Sequence, residues 1–397
     1  MIEVREAKEE DRQSAVRVLW KAFESTETYE NVLKQEWVKA WHRPENKDWS
    51  YVATDNGEVI ANLSMFLTED DVIRGRPVRF AGVWAVATMP HYRRKGLIRK
   101  LFDAAYPRMR DEGAVLSILD PFYRPFYEKF GYALAEKRAK YIFTKDDLRT
   151  GTADPNITCR EATLKDMENV HEIEETMTRF GSRFFHMRHI LKELLESGHF
   201  LVFEENRKIV GTCWFRFVKS KSGQGNDLTV AASSYSQDRV FPSIVEQVRN
   251  YTTNVKEISW YTDLDVPVRH FFSGIHHSQM LQIGSMMMRV VDFEGYCRSI
   301  SVPVDASEPV VLRLEEGQCP WNEGVYRIVP TNGVLEVEKT NETPEVALNP
   351  YQLSSIISGI SSATLLQSLR EIDCDRHCAE KLGAIFPKDV FVSYSRF

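Results

Sequence analysis

The sequence predicts a mixed α/β (α+β) protein, with two related α/β units in tandem followed by a smaller α+β domain. The opening segment Ile2–Asp11, a short alternating strand that leads into an amphipathic helix, recurs in similar form at Ile157–Asp166. A strand, a turn containing Asn and a second strand occur at Tyr51–Ala61 and again at Leu201–Gly211, which is typical of a β-hairpin. After residue 288 strands come first and helices follow, which favours an α+β domain.

The length supports this division. A chain of 397 residues is longer than one ordinary domain, and we place the domains at residues 1–150, 151–287 and 288–397. In the third part, strand-like runs such as Pro309–Leu314 precede helix-like runs such as Asn349–Ile357.

The composition excludes several classes of function. The formal net charge of −6 argues against general nucleic-acid binding, which needs a basic surface, and is compatible with cationic substrates. The sequence contains no apolar run long enough to span a membrane, and Met1–Glu6 lacks the apolar core of a signal peptide. We therefore expect no nucleic-acid partner, no membrane partner and a cytoplasmic location.

The cysteines predict neither disulfides nor a metal centre. The six cysteines are widely spaced, and only Cys374 and Cys378 are close together. A zinc site needs further Cys or His ligands at suitable spacing, and the sequence offers no second pair. We expect reduced thiols, as in a cytoplasmic protein.

The segment Val86–Arg99 carries the strongest chemical signal. An apolar strand ends near Pro90, the basic loop Arg93–Gly96 follows, and a helix with apolar residues at helical spacing begins after it. A helix N-terminus presents free backbone N–H groups that attract phosphate, and the glycine lets the backbone approach a ligand. The segment predicts a pyrophosphate site, although a solvated surface loop would show the same pattern.

Two motifs resemble those of a known enzyme class. The loop Arg93–Gly96 resembles the Arg/Gln-x-x-Gly/Ala signature of GNAT-type N-acetyltransferases, whose loop binds the pyrophosphate of coenzyme A. The segment Pro121–Tyr132 ends in Phe-Tyr-x-x-Phe-Gly-Tyr, which is similar to the last helix and strand of such enzymes. The second unit lacks a basic loop and has Asp238 in the corresponding region, so we expect it not to bind coenzyme A in the same way.

The domain order resembles that of the enhanced intracellular survival (Eis) N-acetyltransferases, which have two GNAT-like domains and a domain similar to sterol carrier proteins. The resemblance implies acetyl transfer from acetyl-CoA to a primary amine. We expect direct attack because no Cys or Ser nucleophile stands beside a plausible base. The amine would be an aminoglycoside, a polyamine or a lysine-type amine, and Arg396 argues against a polycationic antibiotic. The resemblance also implies a homohexamer, a dimer of trimers.

The resemblance further implies the residues of the site. Tyr127 would be the general acid, and the terminal carboxylate of Phe397 the general base. The residues expected to bind the coenzyme are Val86, Ala87, Thr88, Arg94, Lys95, Gly96, Leu97, Ile98, Arg99, Phe122 and Tyr123. The aromatic residues expected to face the amine are Phe23, Trp37, Trp41 and Trp84.

Structural alternatives accompany these assignments. Aromatic residues at helical spacing also form cores, Tyr127 would serve equally as a packing residue, and a chain terminus is solvated by default. The alternative function is a non-catalytic protein that binds coenzyme A or an apolar ligand, as a carrier or a sensor.

Overall fold

A computed structural model provides the structure of the chain. The described residues are 2–23, 26–35, 38, 41–68, 71–149, 153–166, 168–170, 172–173, 183–184, 195–196, 198–220, 223, 225–263, 266, 268–272, 279–284, 286–388 and 391–393. By contacts the chain forms two compact units. The first comprises Met1–Ala135 and Ser285–Asp389, and the second comprises Glu136–Gly284 with residues 391–393.

Strands and helices alternate along the chain. The strands are β1 (Ile2–Glu6), β2 (Asp48–Asp55), β3 (Glu58–Leu67), β4 (Asp71–Ile73), β5 (Arg76–Val78), β6 (Phe80–Thr88), β7 (Leu116–Leu119), β8 (Ala133–Leu134), β9 (Arg138–Phe143), β10 (Thr158–Glu161), β11 (Arg183–Phe184), β12 (His199–Glu205), β13 (Lys208–Lys219), β14 (Asn226–Tyr235), β15 (Val255–Asp263), β16 (Gln279–Ile283), β17 (Met287–Val290), β18 (Val310–Leu314), β19 (Gly324–Thr331), β20 (Val334–Lys339), β21 (Val346–Leu348) and β22 (Val392–Ser393). The α-helices are α1 (Arg12–Ala22), α2 (Tyr29–Val32), α3 (Leu97–Asp111), α4 (Arg124–Glu128), α5 (Phe241–Asn250), α6 (Phe293–Ser299), α7 (Pro350–Ile357), α8 (Ala363–Ser368) and α9 (Arg376–Ile385). Short 3₁₀ helices lie at Glu9–Asp11, Pro44–Asn46, Pro90–Tyr92, Lys145–Asp147, Leu164–Asp166, Asp238–Val240, Val268–Phe271 and Pro320–Asn322.

The main sheet of the first unit is mixed. Its strand order is β1-β2-β3-β6-β7-β17-β8, and β6 and β7 form its parallel pair. Helix α3 packs on one face, where Leu101 and Phe102 join Leu63 in a buried cluster. Helix α1 packs through Val18 and Leu19 in a second cluster. Both helices are amphipathic because their apolar residues recur at helical spacing.

The same unit contains a second sheet, with strand order β20-β19-β18-β21, and the helices α6 to α9. A buried ion pair lies between Arg289 of β17 and Glu316, with Nη2 to Oε1 2.8 Å. Arg289 also donates to the carbonyl oxygen of Phe130 and lies 4.3 Å from the ring centroid of Tyr106. One buried guanidinium therefore connects β17, the residues after α4 and the chain beyond β18.

The second unit has its own mixed sheet, in the order β10-β12-β13-β14-β15-β9-β16. Helix α5 buries Ile244, Val245 and Val248 in its core. The hairpins predicted at Tyr51–Ala61 and Leu201–Gly211 are confirmed as β2–β3 and β12–β13. The mixed α/β class is confirmed as well. The boundaries between the two compact units fall after Ala135 and after Gly284. The division into three domains stays a prediction.

The pairing of β3 with β6 contains a bulge. Asn62 lies opposite Ala87 and Ser64 opposite Trp84, so that two residues of β6 face Leu63 alone. One of the two, Ala85, has a φ of +52°. That left-handed conformation is costly for a residue with a Cβ and persists only where its surroundings hold it.

A buried polar network holds the bulge. The Asn62 amide donates from Nδ2 to the carbonyl oxygen of Ala85 at 2.8 Å and accepts from Trp41 Nε1 at 3.1 Å. It also donates to Ser64 Oγ at 3.2 Å, and this hydroxyl lies 2.7 Å from that of Ser50. Because buried polar groups are costly when unpaired, the network fixes the backbone of β6 at this point.

The Asn62→Leu substitution is expected to lower the free energy of unfolding by about 2–4 kcal/mol, because the Ala85 carbonyl and the Trp41 indole N–H lose their buried partner. Urea unfolding of both proteins measures the difference. A loss below about 1 kcal/mol would show that the network does not hold the bulge.

Two glycine substitutions test whether the positive φ of Ala85 costs stability. Ala85→Gly should leave stability unchanged or raise it, because glycine adopts positive φ without strain. Ala81→Gly, at a regularly paired position of β6, should destabilise by roughly 1 kcal/mol.

Asp48 is a further polar residue of β2 near this network. Burial raises the pKa of its carboxyl to about 8, against the lowering effects of the charge of Arg43 and the nearby Trp84 indole, while the nearby Glu45 charge raises it further. The folded protein therefore favours the neutral carboxylic acid, whereas the unfolded chain ionises near the ordinary pKa of 3.8.

The contribution of Asp48 to the free energy of unfolding should therefore fall as the pH rises from about 4 to about 8, because the native state holds a proton on Asp48 that the unfolded state releases. In Asp48→Asn this contribution to the pH dependence is absent, since the amide does not titrate. Urea unfolding of both proteins at about pH 5 and about pH 8.5 compares the slopes. Equal slopes would contradict the raised pKa.

Candidate active site

A cavity of about 600 Å³ opens beside the bulge. Its walls come from α1 and the chain that follows it, from the α2 region, from β6 and from the segment after β7. The lining residues are Leu19, Trp20, Phe23, Val32, Gln35, Val83, Trp84, Ala85, Val86, Asp120, Phe122 and Tyr127. The structure thus brings together Phe23, Trp84, Val86, Phe122 and Tyr127 from the predicted site.

The cavity exists because two parallel strands separate. The pairing of β6 with β7 runs from Phe80 opposite Leu116 to Val83 opposite Leu119. Beyond it, β6 continues to Thr88, whereas the other strand ends before Asp120. The bulge lies at this point, where Ala85 and Val86 line the cavity.

Tyr127 lies on α4 and is 4% exposed. Its ring makes edge contacts with Phe122 and Phe126, at centroid distances of 5.6 and 5.1 Å. Burial raises the pKa of the phenol well above its usual value, and the hydroxyl of Tyr132 and the charge of Asp120 raise it further. Tyr127 is therefore a neutral phenol at physiological pH, able to donate a proton or a hydrogen bond into the cavity.

The predicted phosphate loop begins helix α3. Gly96 is its N-cap with a φ of +71°, and the neighbouring Arg94 has a φ of +65°. A Cβ on Gly96 would meet nothing within 4 Å, so its conformation rather than crowding favours glycine. The backbone N–H groups of Leu97, Ile98 and Arg99 belong to the first helical turn, where an α-helix has no internal acceptors.

The basic side chains around this helix end are exposed, namely those of Arg93, Arg94, Lys95 and Arg99. Arg99 lies 5.3 Å from the ring centroid of Phe130 and Lys95 4.5 Å from that of Tyr92. The Tyr92 hydroxyl donates to Asp55 Oδ2 at 2.8 Å. Four cations and free N–H groups on one helix end suit a polyanion.

The remaining predicted residues have different positions. Trp41 is fully buried and bound to Asn62, so it supports the bulge and does not line the cavity. Ala87 is buried in the cluster under α1, Thr88 is half-buried, and Tyr123 is exposed beside the exposed Phe122. Trp37 and Phe397 lie outside the described residues.

Sequence reasoning missed three residues of this region. Asp120 lines the cavity directly after β7, at the carboxyl end of a parallel strand, where ligands often bind. Trp20 also lines it, one helical turn from the predicted Phe23. No sequence pattern pointed to Asn62, because the role of a polar residue in an apolar strand depends on which strands become its neighbours.

Within the described part of the chain, no group of three or more His, Cys, Asp or Glu side chains could hold a metal ion. The described helices include none that is long and apolar enough to span a membrane.

Comparisons with known proteins agree with this geometry. Residues 3–135 match an acetyltransferase (GNAT) domain, and residues 295–390 match a sterol carrier protein domain. An uncharacterized N-acetyltransferase of Streptomyces avermitilis is 21% identical over 346 residues, which cover 82% of this chain and 83% of the relative.

Solved structures share the fold over the whole chain. A GCN5-related N-acetyltransferase from Kribbella flavida is 17% identical with a TM-score of 0.85, covering 100% of this chain and 98% of the other. Eis1 from Mycobacterium abscessus is 16% identical with a TM-score of 0.78, covering 100% of both chains. The predicted resemblance to the Eis architecture is confirmed at the level of the fold, and the chain contains a GNAT-type acetyltransferase domain over residues 3–135 and a sterol carrier protein domain over residues 295–390.

Proposed function

We propose that this protein transfers the acetyl group of acetyl-CoA to a primary amine by direct attack. The observation that carries the proposal is the neutral, buried phenol of Tyr127 on the wall of a cavity formed where β6 and β7 separate. Acetyl-CoA supplies an acetyl thioester, and the exposed cations and free N–H groups at the start of α3 suit its pyrophosphate.

The transfer requires one bond to form, one bond to break and two protons to move. The amine nitrogen bonds to the thioester carbonyl carbon while the carbon–sulfur bond breaks. The sulfur takes up a proton, for which Tyr127 is the proposed donor. The amine loses a proton, for which the terminal carboxylate of Phe397 is the proposed acceptor, on the strength of the resemblance to the Eis enzymes.

The coenzyme residues are proposed on the same basis. Val86 borders the cavity, and the bulge leaves the β6 backbone there free of regular ladder pairing. Phe122 and Tyr123 offer exposed aromatic surface at the start of α4. A homohexamer and a cytoplasmic location remain predictions.

The alternative is a protein that binds coenzyme A or an apolar ligand without turnover. The apolar lining of the cavity suits such a ligand equally, so a measurement of catalytic activity is needed to distinguish the two functions. Thiol release from acetyl-CoA that requires an added amine supports the enzyme. Coenzyme binding without release for any amine would support the alternative.

The Tyr127→Phe substitution should lower kcat by about 10²–10⁴-fold while acetyl-CoA binding changes little, because only the proton donor is removed. Thiol release gives kcat, and calorimetric titration gives the affinity for the coenzyme. Tyr106→Phe is the matched control, because it removes a hydroxyl from another buried ring of the same core that does not line the cavity. A normal kcat in Tyr127→Phe would contradict the assignment.

The terminal carboxylate is tested by moving it. A glycine-serine extension after Phe397 should lower kcat by at least about 10²-fold, because the base is displaced from the amine. Phe397→Leu keeps the carboxylate in place and serves as the control, with a smaller expected loss. Full activity of the extended protein would exclude the carboxylate as the base.

A further inference from the structure

The end of the cavity built by α1 and α2 is apolar. Leu19, Trp20 and Phe23 lie on or directly after α1, and Val32 lies in α2. Across the cavity, Trp84 contributes a further aromatic ring. A ligand that enters here therefore meets indole, phenyl and aliphatic surface. Binding of an apolar body against this surface is favourable by about 25 cal/mol for each Å² of apolar area removed from water.

The polar groups at this end bond to the protein itself. The Trp20 indole donates from Nε1 to the carbonyl oxygen of Glu27 at 2.8 Å. The Gln35 amide donates from Nε2 to Glu27 Oε2 at 3.1 Å. Both interactions turn polar atoms toward the Glu27 segment, so the two side chains present mainly their apolar parts to a ligand.

The charge of the cavity is low. Among the described lining residues, Asp120 alone carries a formal charge. On the α1 side, the ammonium group of Lys21 lies 4.2 Å from the ring centroid of Trp20, which adds positive potential near this wall. The Glu27 carboxylate is bonded to the lining Gln35, so charges of both signs lie near this wall, and its apolar surface is what distinguishes one amine from another.

We infer that the amine substrate has an aromatic or other apolar body, which packs between Trp20, Phe23 and Trp84. The inference rests on the proposed function and names the class of its acceptor. It separates this protein from an enzyme for polycationic amines, because such amines have little apolar surface to bury against these rings.

The test compares 2-phenylethylamine, spermidine and an aminoglycoside as acceptors for the full-length protein at a fixed acetyl-CoA concentration. The expected kcat/KM for 2-phenylethylamine exceeds that for the two polycations by at least about tenfold, which corresponds to about 1.4 kcal/mol. A preference for spermidine or the aminoglycoside overturns the inference while it supports the proposed acetyltransferase.

A charge substitution sharpens the test. Phe23 is 57% exposed, so that Phe23→Glu adds a carboxylate to the cavity without burying a charge in the core. It should raise the kcat/KM ratio of spermidine to 2-phenylethylamine by at least about tenfold relative to Phe23→Gln, which removes the same ring without adding a charge. An unchanged ratio in Phe23→Glu overturns the inference.

Binding separates this inference from the proposed function. Quenching of tryptophan fluorescence by 2-phenylethylamine and by spermidine reports binding beside Trp20 and Trp84 without turnover. If no amine causes thiol release, the proposed function fails, and tighter binding of 2-phenylethylamine still supports the apolar site. Tighter binding of spermidine overturns the inference whether or not turnover occurs.

Discussion

The hydrogen bond from Asn62 to the Ala85 carbonyl is the contact on which the site depends. A bulge shifts the alternation of side chains by one residue. Trp84 and Ala87 therefore both pack against the cluster under α1, and Val86 packs against the cluster under α3. An unbulged strand would place Trp84 and Ala87 on opposite faces. The site thus requires one non-glycine residue to keep a positive φ, and a fully buried amide supplies the restraint.

Charge is distributed unevenly over the site. The cations around Gly96 are exposed at the end of α3, where water screens them and a polyanion gains from their summed attraction. The cavity is apolar and holds a neutral phenol. This separation suits a ligand with one highly charged end and one reactive end. The low polarity around Tyr127 also keeps its proton in place over the physiological pH range.

The sterol carrier protein domain is part of the same compact unit as the acetyltransferase domain. Strand β17, which follows the second unit in sequence, lies between β7 and β8 in the main sheet. Its Arg289 reaches Glu316 and the Phe130 carbonyl, three residues after Tyr127. Gly131 has a φ of +80°, and a Cβ there would lie 2.5 Å from Cβ of Pro350. The segment that carries Tyr127 is therefore held by residues far along the chain.

The mixed α/β class, the two hairpins and the loop with Gly96 before α3 were predictable from the sequence, whereas Tyr127 was singled out by the resemblance to known enzymes. These features depend on local periodicity, turn residues and short motifs, which act over a few residues. The roles of the other site residues depend on the tertiary structure. Trp41 had the same signal as Trp84, yet one supports the bulge from within the core and the other lines the cavity. Asp120, Asn62 and the insertion of β17 depend on which strands become neighbours, and that is a long-range choice without a local signature.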